Sequence, residues 1–324
     1  MVSTAHTPPA QVRIVDVTQD EAGQRIDNFL ARYLKGVPRS HIYRILRRGE
    51  VRVNSSRIRA QYKVKSGDKV RIPPVRVAPD KEKTTPGKRL LTIEDSILLE
   101  NTHLLVIDKP AGVAVHGGSG ISHGIIEALR LIRPDAPYLE LVHRLDRETS
   151  GCLIIAKRRS ALRALHEQLR AGRMNKRYLA LVRGDWTGGS RAVAVALRKN
   201  QLQGGERVVR VDDQGKQAET LFHPVSTHGP ASLVDVELKT GRTHQIRVHA
   251  AHIGHPLAGD EKYGDDAFNR IMKGYGLRRL FLHAHRIEFT DPGSGEIVDV
   301  SSPPGQDLKQ VLDELDNAAL PSHD

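Results

Sequence analysis

Cysteine is almost missing from this chain, and its scarcity excludes two kinds of chemistry. With Cys152 alone among 324 residues, no intramolecular disulfide can form and no thiolate cluster can hold zinc. Its setting in Cys152-Leu153-Ile154-Ile155-Ala156 reads as a buried strand position, where a thiol packs as a small apolar group. Long apolar runs are missing too. Bursts such as Leu104-Leu105-Val106-Ile107 fall far short of the roughly 18 residues that a membrane helix needs, so no membrane partner is expected. Met1 to Gln11 contains no basic start followed by an apolar segment, which predicts a cytoplasmic protein. There is no Gly-rich phosphate loop and no regular βαβ alternation, so a nucleotide cofactor is not expected. No heptad or extended apolar stripe argues for assembly, and a monomer is the expectation. The 39% hydrophobic content is still enough for a core, in one large domain or two modest ones.

Positive charge is what the chain has in excess, with a formal net charge of +12. Its distribution decides what it means. Between Arg25 and Arg76, fifteen Lys or Arg stand against only Asp27, Glu50 and Asp68, a local excess of +12 that matches the whole chain. Such a footprint suits the phosphates of a nucleic acid. Within it, Ile26, Phe29, Leu30, Tyr33 and Leu34 recur at helical spacing, Pro38 interrupts, and Ser40 is placed to cap a second helix ending near Gly49. Ile42, Ile45 and Leu46 give that helix an inner face. Arg39, His41, Arg44, Arg47 and Arg48 are left outside, where they can follow a nucleic-acid backbone. Short strands are expected at Val51-Arg52-Val53 and Lys69-Val70-Arg71-Ile72, with a turn at Ser66-Gly67-Asp68. This pattern resembles the small S4 RNA-binding domain.

The expected organisation is an N-terminal extension over 1–18, the S4-like module over 19–77, a Pro- and Lys-rich linker over 78–93 and a larger domain over 94–324. In the last, strands are expected at Leu104–Ile107, Cys152–Ala156, Tyr178–Val182, Ala231–Leu238 and Phe281–Phe289. Helices are expected at Gly124–Arg133 and Ala161–Arg170, the latter capped by Ser160 and stopped at Gly172. Asn200 to Gly215, rich in Gln and Gly, reads as a surface excursion. The fold class is α+β.

The most informative stretch is His143-Arg144-Leu145-Asp146-Arg147-Glu148-Thr149-Ser150-Gly151, one short carboxylate between two guanidinium groups. A nearby Arg favours the ionised form of an Asp, which suits a nucleophile or electrostatic stabiliser better than a proton donor. The alternative is an Asp that only pairs with its neighbours or caps the turn.

This block resembles the signature of the RluA/RluC family of pseudouridine synthases, with Glu148 standing where the family usually has Asp. Lys109-Pro110-Ala111-Gly112, the strand-like Lys176 to Gly184 block, Thr240 to His249, Gly254 to Asp260 with Tyr263-Gly264, and Leu282-His283-Ala284 resemble the other family blocks, in order. The similarity covers nearly the whole chain. It implies a mixed, largely antiparallel catalytic sheet with helices, preceded by the S4-like domain, and isomerisation of uridine in large-subunit (23S) ribosomal RNA. That reaction breaks a C–N bond and forms a C–C bond to the same ribose with no redox change, so it demands neither metal nor organic cofactor.

The resemblance further implies that Asp146 is the essential residue, attacking C1′, attacking C6 or removing the 2′ proton. It implies that Tyr178 stacks on the flipped uracil and that its hydroxyl takes the C5 proton; a core tyrosine is the other reading. Arg242 would pair with Asp146, or else clamp a phosphate. Ile246 would line the uracil pocket. Arg144 would insert into the RNA as the base leaves its stack, unless it forms a simple salt bridge. The histidines at 244, 249, 252 and 255, with His116 and His123, lack zinc spacing, since no H-E-x-x-H occurs. Competing functions are a non-catalytic RNA-binding or ribosome-assembly factor, and a synthase acting on transfer RNA.

Overall fold

The structure, a computed structural model, describes residues 11–34, 37, 39–75, 90, 92–117, 123–201 and 207–319. Pro38 and most of the expected linker and N-terminal extension lie outside the described residues. The chain divides into two compact units, Met1–Thr85 and Pro86–Asp324.

In the first unit, β1 (Arg13–Asp16), β2 (Arg52–Val53), β3 (Ser56–Arg57) and β4 (Lys69–Ile72) form an antiparallel sheet in the order β1-β4-β2-β3. Helices α1 (Ile26–Tyr33) and α2 (Arg39–Arg48) bury Ile26, Phe29, Leu30, Ile42, Ile45 and Leu46 against Val53, Val70 and Ile72. The expected extension over 1–18 is corrected here: Arg13–Asp16 pairs with Lys69–Ile72 as a sheet edge, because β4 offers it a free side. Ser40 lies inside α2 and does not cap it; the start of the helix follows burial of Ile42 and Ile45.

The second unit is built on a mixed sheet. Its strands are β5 (Ile97–Glu100), β6 (Leu104–Lys109), β7 (Glu140–Leu141), β8 (Ser150–Ala156), β9 (Asn175–Arg183), β10 (Arg191–Ala194), β13 (Glu219–His228), β14 (Ala231–Leu238), β15 (Leu282–Thr290) and β16 (Ile297–Ser301). The main path runs β10-β13-β14-β9-β15-β8-β6-β5. Every pairing is antiparallel except β15 with β8. Between β10 and β13, β11 (Leu197–Gln201) and β12 (Arg207–Val211) make a separate two-stranded ribbon. Of the expected surface excursion from Asn200 to Gly215, Asn200, Gln201 and Arg207–Val211 belong to this ribbon, and 202–206 lie outside the described residues.

Alternation along the strands divides the core into two layers. Leu105, Ile107, Leu153 and Ile155 face α3 (Ile125–Ile132), while Leu104, Val106, Cys152 and Ile154 face α4 (Arg159–Arg170). Strand β8 is buried at all seven positions, which explains its continuous apolar run. Helix α5 (Gln245–His252) lies on the α3 side through Ile246 and Ala250, and α6 (Asp266–Gly274) and α7 (Gln306–Ala319) cover Leu181 and Leu233 on the opposite side. The linker boundary at 93 also moves: Leu90 and Ile93 are buried in this core. Helix α4 begins at Arg159, so Ser160 lies in its first turn and not at its cap.

Candidate active site

Asp146 sits in the loop between β7 and β8, and two separate sequence blocks hold that loop in place. Lys109, fully buried, donates its ammonium to the carbonyls of Pro110 (2.8 Å), Val113 (2.8 Å) and Arg147 (3.0 Å). Burial pulls Lys109 down to about 7. Gly112 adopts φ +80°, its N–H donates to the Arg147 carbonyl at 2.9 Å, and its own carbonyl accepts from Arg147 Nε at 3.0 Å. The Lys-Pro-Ala-Gly turn is therefore a brace on the residue after Asp146. At the far end, Gly151 (φ +106°) lies so close to β15 that a Cβ would fall 2.3 Å from the Ala284 carbonyl oxygen. Only glycine fits there.

The loop opens onto a cleft of about 840 Å³ lined by residues from β9, the 239–244 loop, α5 and the turn after α4. Six cations, Arg144, Arg170, Lys176, Lys239, Arg242 and Arg247, face it, and Asp146 is the single acidic side chain among its lining residues. Tyr178, Ile246 and Leu282 supply its buried apolar wall. Burial first, and the Asp146 carboxylate second, push the Tyr178 phenol upward, so its hydroxyl stays protonated.

The structure corrects the expected partner of Asp146. Arg242 is exposed; its Nε donates to the Gln217 carbonyl at 3.2 Å, and its backbone N–H donates to the Gln245 side chain at 2.9 Å. The guanidinium beside Asp146 belongs to Arg247, whose Nη1 lies 3.8 Å from Asp146 Oδ2. The reason is helical geometry. Gln245 is buried and tied to Thr240, Glu219 and Thr220, which starts α5 at that point and turns the first-turn side chain of Arg247 toward the cleft, while Arg242 stays on the approach loop. The sequence neighbours do not pair with Asp146 either: Arg147 pairs with Glu148 at 3.4 Å.

Arg247 is aimed by a buried acid. Its Nε and Nη2 donate to the two oxygens of Asp260, both at 2.7 Å, and its guanidinium carbon stands 5.0 Å over the Tyr263 ring. Burial alone would raise Asp260, but the Arg247 bonds outweigh it and hold the carboxyl below its ordinary value. His244, at φ +53°, caps α5 with Nε2 3.8 Å from Asp146 Oδ2 and Nδ1 2.8 Å from the Tyr263 hydroxyl. Arg247, His244, Asp260 and Tyr263 are the site residues that sequence reasoning missed. The available signal was the three-residue spacing of His244 and Arg247, which places both on one face of a helix.

Of the other expected residues, Arg144 lies exposed on the cleft wall, and its side chain forms no bond to any described residue. Arg39, Arg44, Arg47 and Arg48 are exposed along α2, with Arg44 near His41 (3.2 Å) and Arg48 near Glu50 (3.8 Å). Cys152 is buried, as its apolar setting suggested. No helix among the described residues is long and apolar enough to cross a membrane.

Comparison with known proteins identifies the family. The family described as RNA pseudouridylate synthase matches residues 103–252, and the S4 domain matches residues 24–70. The chain is 55% identical over 316 residues to ribosomal large subunit pseudouridine synthase C of Escherichia coli strain K12, covering 96% of this chain and 99% of that protein. Human RNA pseudouridylate synthase domain containing 1 is similar in structure, with a TM-score of 0.54 and 27% identity over 71% of this chain and 96% of that one. Human RNA pseudouridylate synthase domain containing 4 shares the fold at a TM-score of 0.59 and 24% identity, over 70% and 95% of the two chains. Fold, loop architecture and similarity converge: the chain belongs to the family of RNA pseudouridine synthases, with an N-terminal S4 domain.

Proposed function

We propose that this enzyme isomerises uridine to pseudouridine at specific positions of large-subunit ribosomal RNA in the cytoplasm, acting as a monomer with Asp146 starting the reaction. The observation that carries the role of Asp146 is its isolation. It is the single acid among the residues lining a cationic cleft, and the nearest oxygen to both Arg247 and His244 is Oδ2, which leaves Oδ1 free to react. The large-subunit substrate rests on the similarity to the Escherichia coli protein. Tyr178 and Ile246 form the wall against which a flipped uracil stacks, and Arg144, whose side chain has no protein partner among the described residues, fills or braces the gap left in the RNA. Arg242 contacts the RNA backbone at the rim. The exposed arginines of α2 hold phosphates. Because the Tyr178 hydroxyl is protonated at rest, it can take the C5 proton only by passing its own onward, and the Asp146 carboxylate is the nearby acceptor that raises it.

The test is carbodiimide-stop mapping of unmodified large-subunit RNA incubated with wild type or with Asp146→Asn. Stops at discrete uridines with wild type alone are expected, together with a loss of about 10⁴-fold or more for the variant. Stops produced equally by Asp146→Asn would refute the assigned role, and stops only on transfer RNA would move the substrate.

A further inference from the structure

We propose that His244 is a third member of the reacting constellation, an uncharged Nε2–H donor to Asp146 whose tautomer is set by the Tyr263 hydroxyl and, behind it, by the β11–β12 ribbon. The inference rests on the reading of Asp146 as the reacting carboxylate.

His244 occupies the left-handed region at φ +53°, a conformation that a non-Gly side chain keeps only where its surroundings enforce it and that clusters at functional sites. The enforcing contacts are specific. The Tyr263 ring meets the imidazole edge-on with centroids 5.4 Å apart, and the phenol oxygen lies 2.8 Å from Nδ1. That same oxygen accepts the backbone N–H of Val209 at 3.0 Å. Val209 belongs to β12, and its buried side chain packs with Leu197 and with Val248 of α5. The Val209 N–H can only donate, so among the described partners of the phenol His244 Nδ1 is the one that can accept its hydrogen. Nδ1 therefore accepts, and the ring proton resides on Nε2. Nε2 is the atom that faces Asp146 Oδ2, at 3.8 Å.

The charged groups around His244 are Asp146, Arg247, Lys262 and Asp260; burial lowers the imidazole from its ordinary value more than Asp146 raises it. The ring is thus neutral at neutral pH. A neutral donor braces the carboxylate beside Arg247 without adding a second cation, which would blunt the reactivity of Asp146. Long contacts of this kind tighten as the transition state forms. Oδ2 is then held from two sides and Oδ1 is presented to the substrate.

The experiment measures kcat, KM and the pH profile of kcat on a large-subunit RNA substrate for the full-length wild type, Tyr263→Phe, His244→Asn and Asp146→Asn. Tyr263→Phe retains the ring against both Arg247 and His244 and loses only the hydroxyl. Its kcat should fall about tenfold with KM unchanged. The acidic limb should move to higher pH, because Nδ1 freed from the phenol takes a proton more readily. His244→Asn keeps a residue tolerant of the left-handed backbone and removes Nε2. A loss of roughly ten- to a hundredfold in kcat is expected, the range for a hydrogen bond to a charged group, with the acidic limb displaced to lower pH. Wild-type kinetics in both variants, or losses in kcat with an unmoved acidic limb, would overturn the proposal. If Asp146→Asn itself turns over, the reading of Asp146 has failed. If that variant is dead while the other two behave as wild type, only the role of His244 has failed.

Discussion

The two units of this protein handle positive charge in opposite ways. On α2 of the first unit, Arg39, Arg44, Arg47 and Arg48 stand exposed along one helix. In the cleft of the second, Arg247 is locked to buried Asp260 by two 2.7 Å bonds, and under the Asp146 loop Lys109 is buried against three carbonyls. Exposed, mobile cations attract a polyanion at long range and are screened by salt. Locked cations lose that reach and gain direction. One unit is built for affinity and the other for geometry, so substitutions in each should move different measured quantities.

The largest expected effect outside Asp146 itself is at Arg247. Arg247→Lys keeps the charge and forfeits the fork, since an ammonium cannot bond both oxygens of Asp260 and still face Asp146. Its kcat should drop about a hundredfold or more, the scale of removing one preorganised donor from a charge-stabilising site, while the RNA Kd stays within about twofold. A change confined to Kd would place Arg247 with the phosphate-binding cations and erase the contrast between the units.

The converse is expected of α2. The double variant Arg44→Gln, Arg47→Gln should weaken RNA binding about tenfold at moderate salt and flatten the plot of log Kobs against log salt by roughly 0.7 to 0.9 per lost phosphate contact. At saturating RNA its kcat should match wild type. A fall in kcat at saturation would mean that the module shapes the chemistry as well as the affinity.

How much of this was legible in the sequence follows the same division. The arginine face of α2 was readable because helical period and charge are both local, and Ile42, Ile45 and Leu46 fix the opposite face. Strands β4 and β14 were readable to the residue, since their apolar patterns are self-sufficient. The Arg partner of Asp146 was not. Arg242 and Arg247 lie in one block, and the choice between them depends on where α5 begins, which is set by bonds from Gln245 to Glu219 and Thr220 on a different strand. Likewise β1 looked like a tail because its two-residue period is short and its partner, β4, is more than fifty residues away. The Gln- and Gly-rich look of the segment after Asn200 hid a ribbon whose backbone reaches Tyr263. Local pattern recovers elements and surfaces; a site assembled from distant loops needs the tertiary contacts.

The last effect is on stability, and it separates the units by acid as the arginines separate them by salt. Burial holds His143 and His249 of the second unit down at about 4, against an ordinary 6.5. Between those values the unfolded chain takes up protons that the folded site refuses, so stability falls as pH drops from 6.5 toward 4. For His249, which is fully buried, the loss approaches roughly 3 kcal/mol. In the first unit, burial alone would raise Asp27 and Asp68, but Arg25 and Tyr43 hold the one, and the Lys65 N–H, Tyr62 and Asn54 hold the other, below the ordinary carboxylate value. Their contribution is intact above about 3.8 and is lost only as pH falls through their depressed folded values. Hydrogen exchange on the intact chain at pH 7 and pH 4.5, corrected for intrinsic rates, should therefore show protection weakening in β8 and β9 while α1 and α2 keep theirs. His249→Leu, which removes the titrating ring from a buried site, should reduce the weakening. Equal losses in both units at pH 4.5, or a His249→Leu profile that follows wild type, would show that burial of these histidines does not set the acid limit of the catalytic unit.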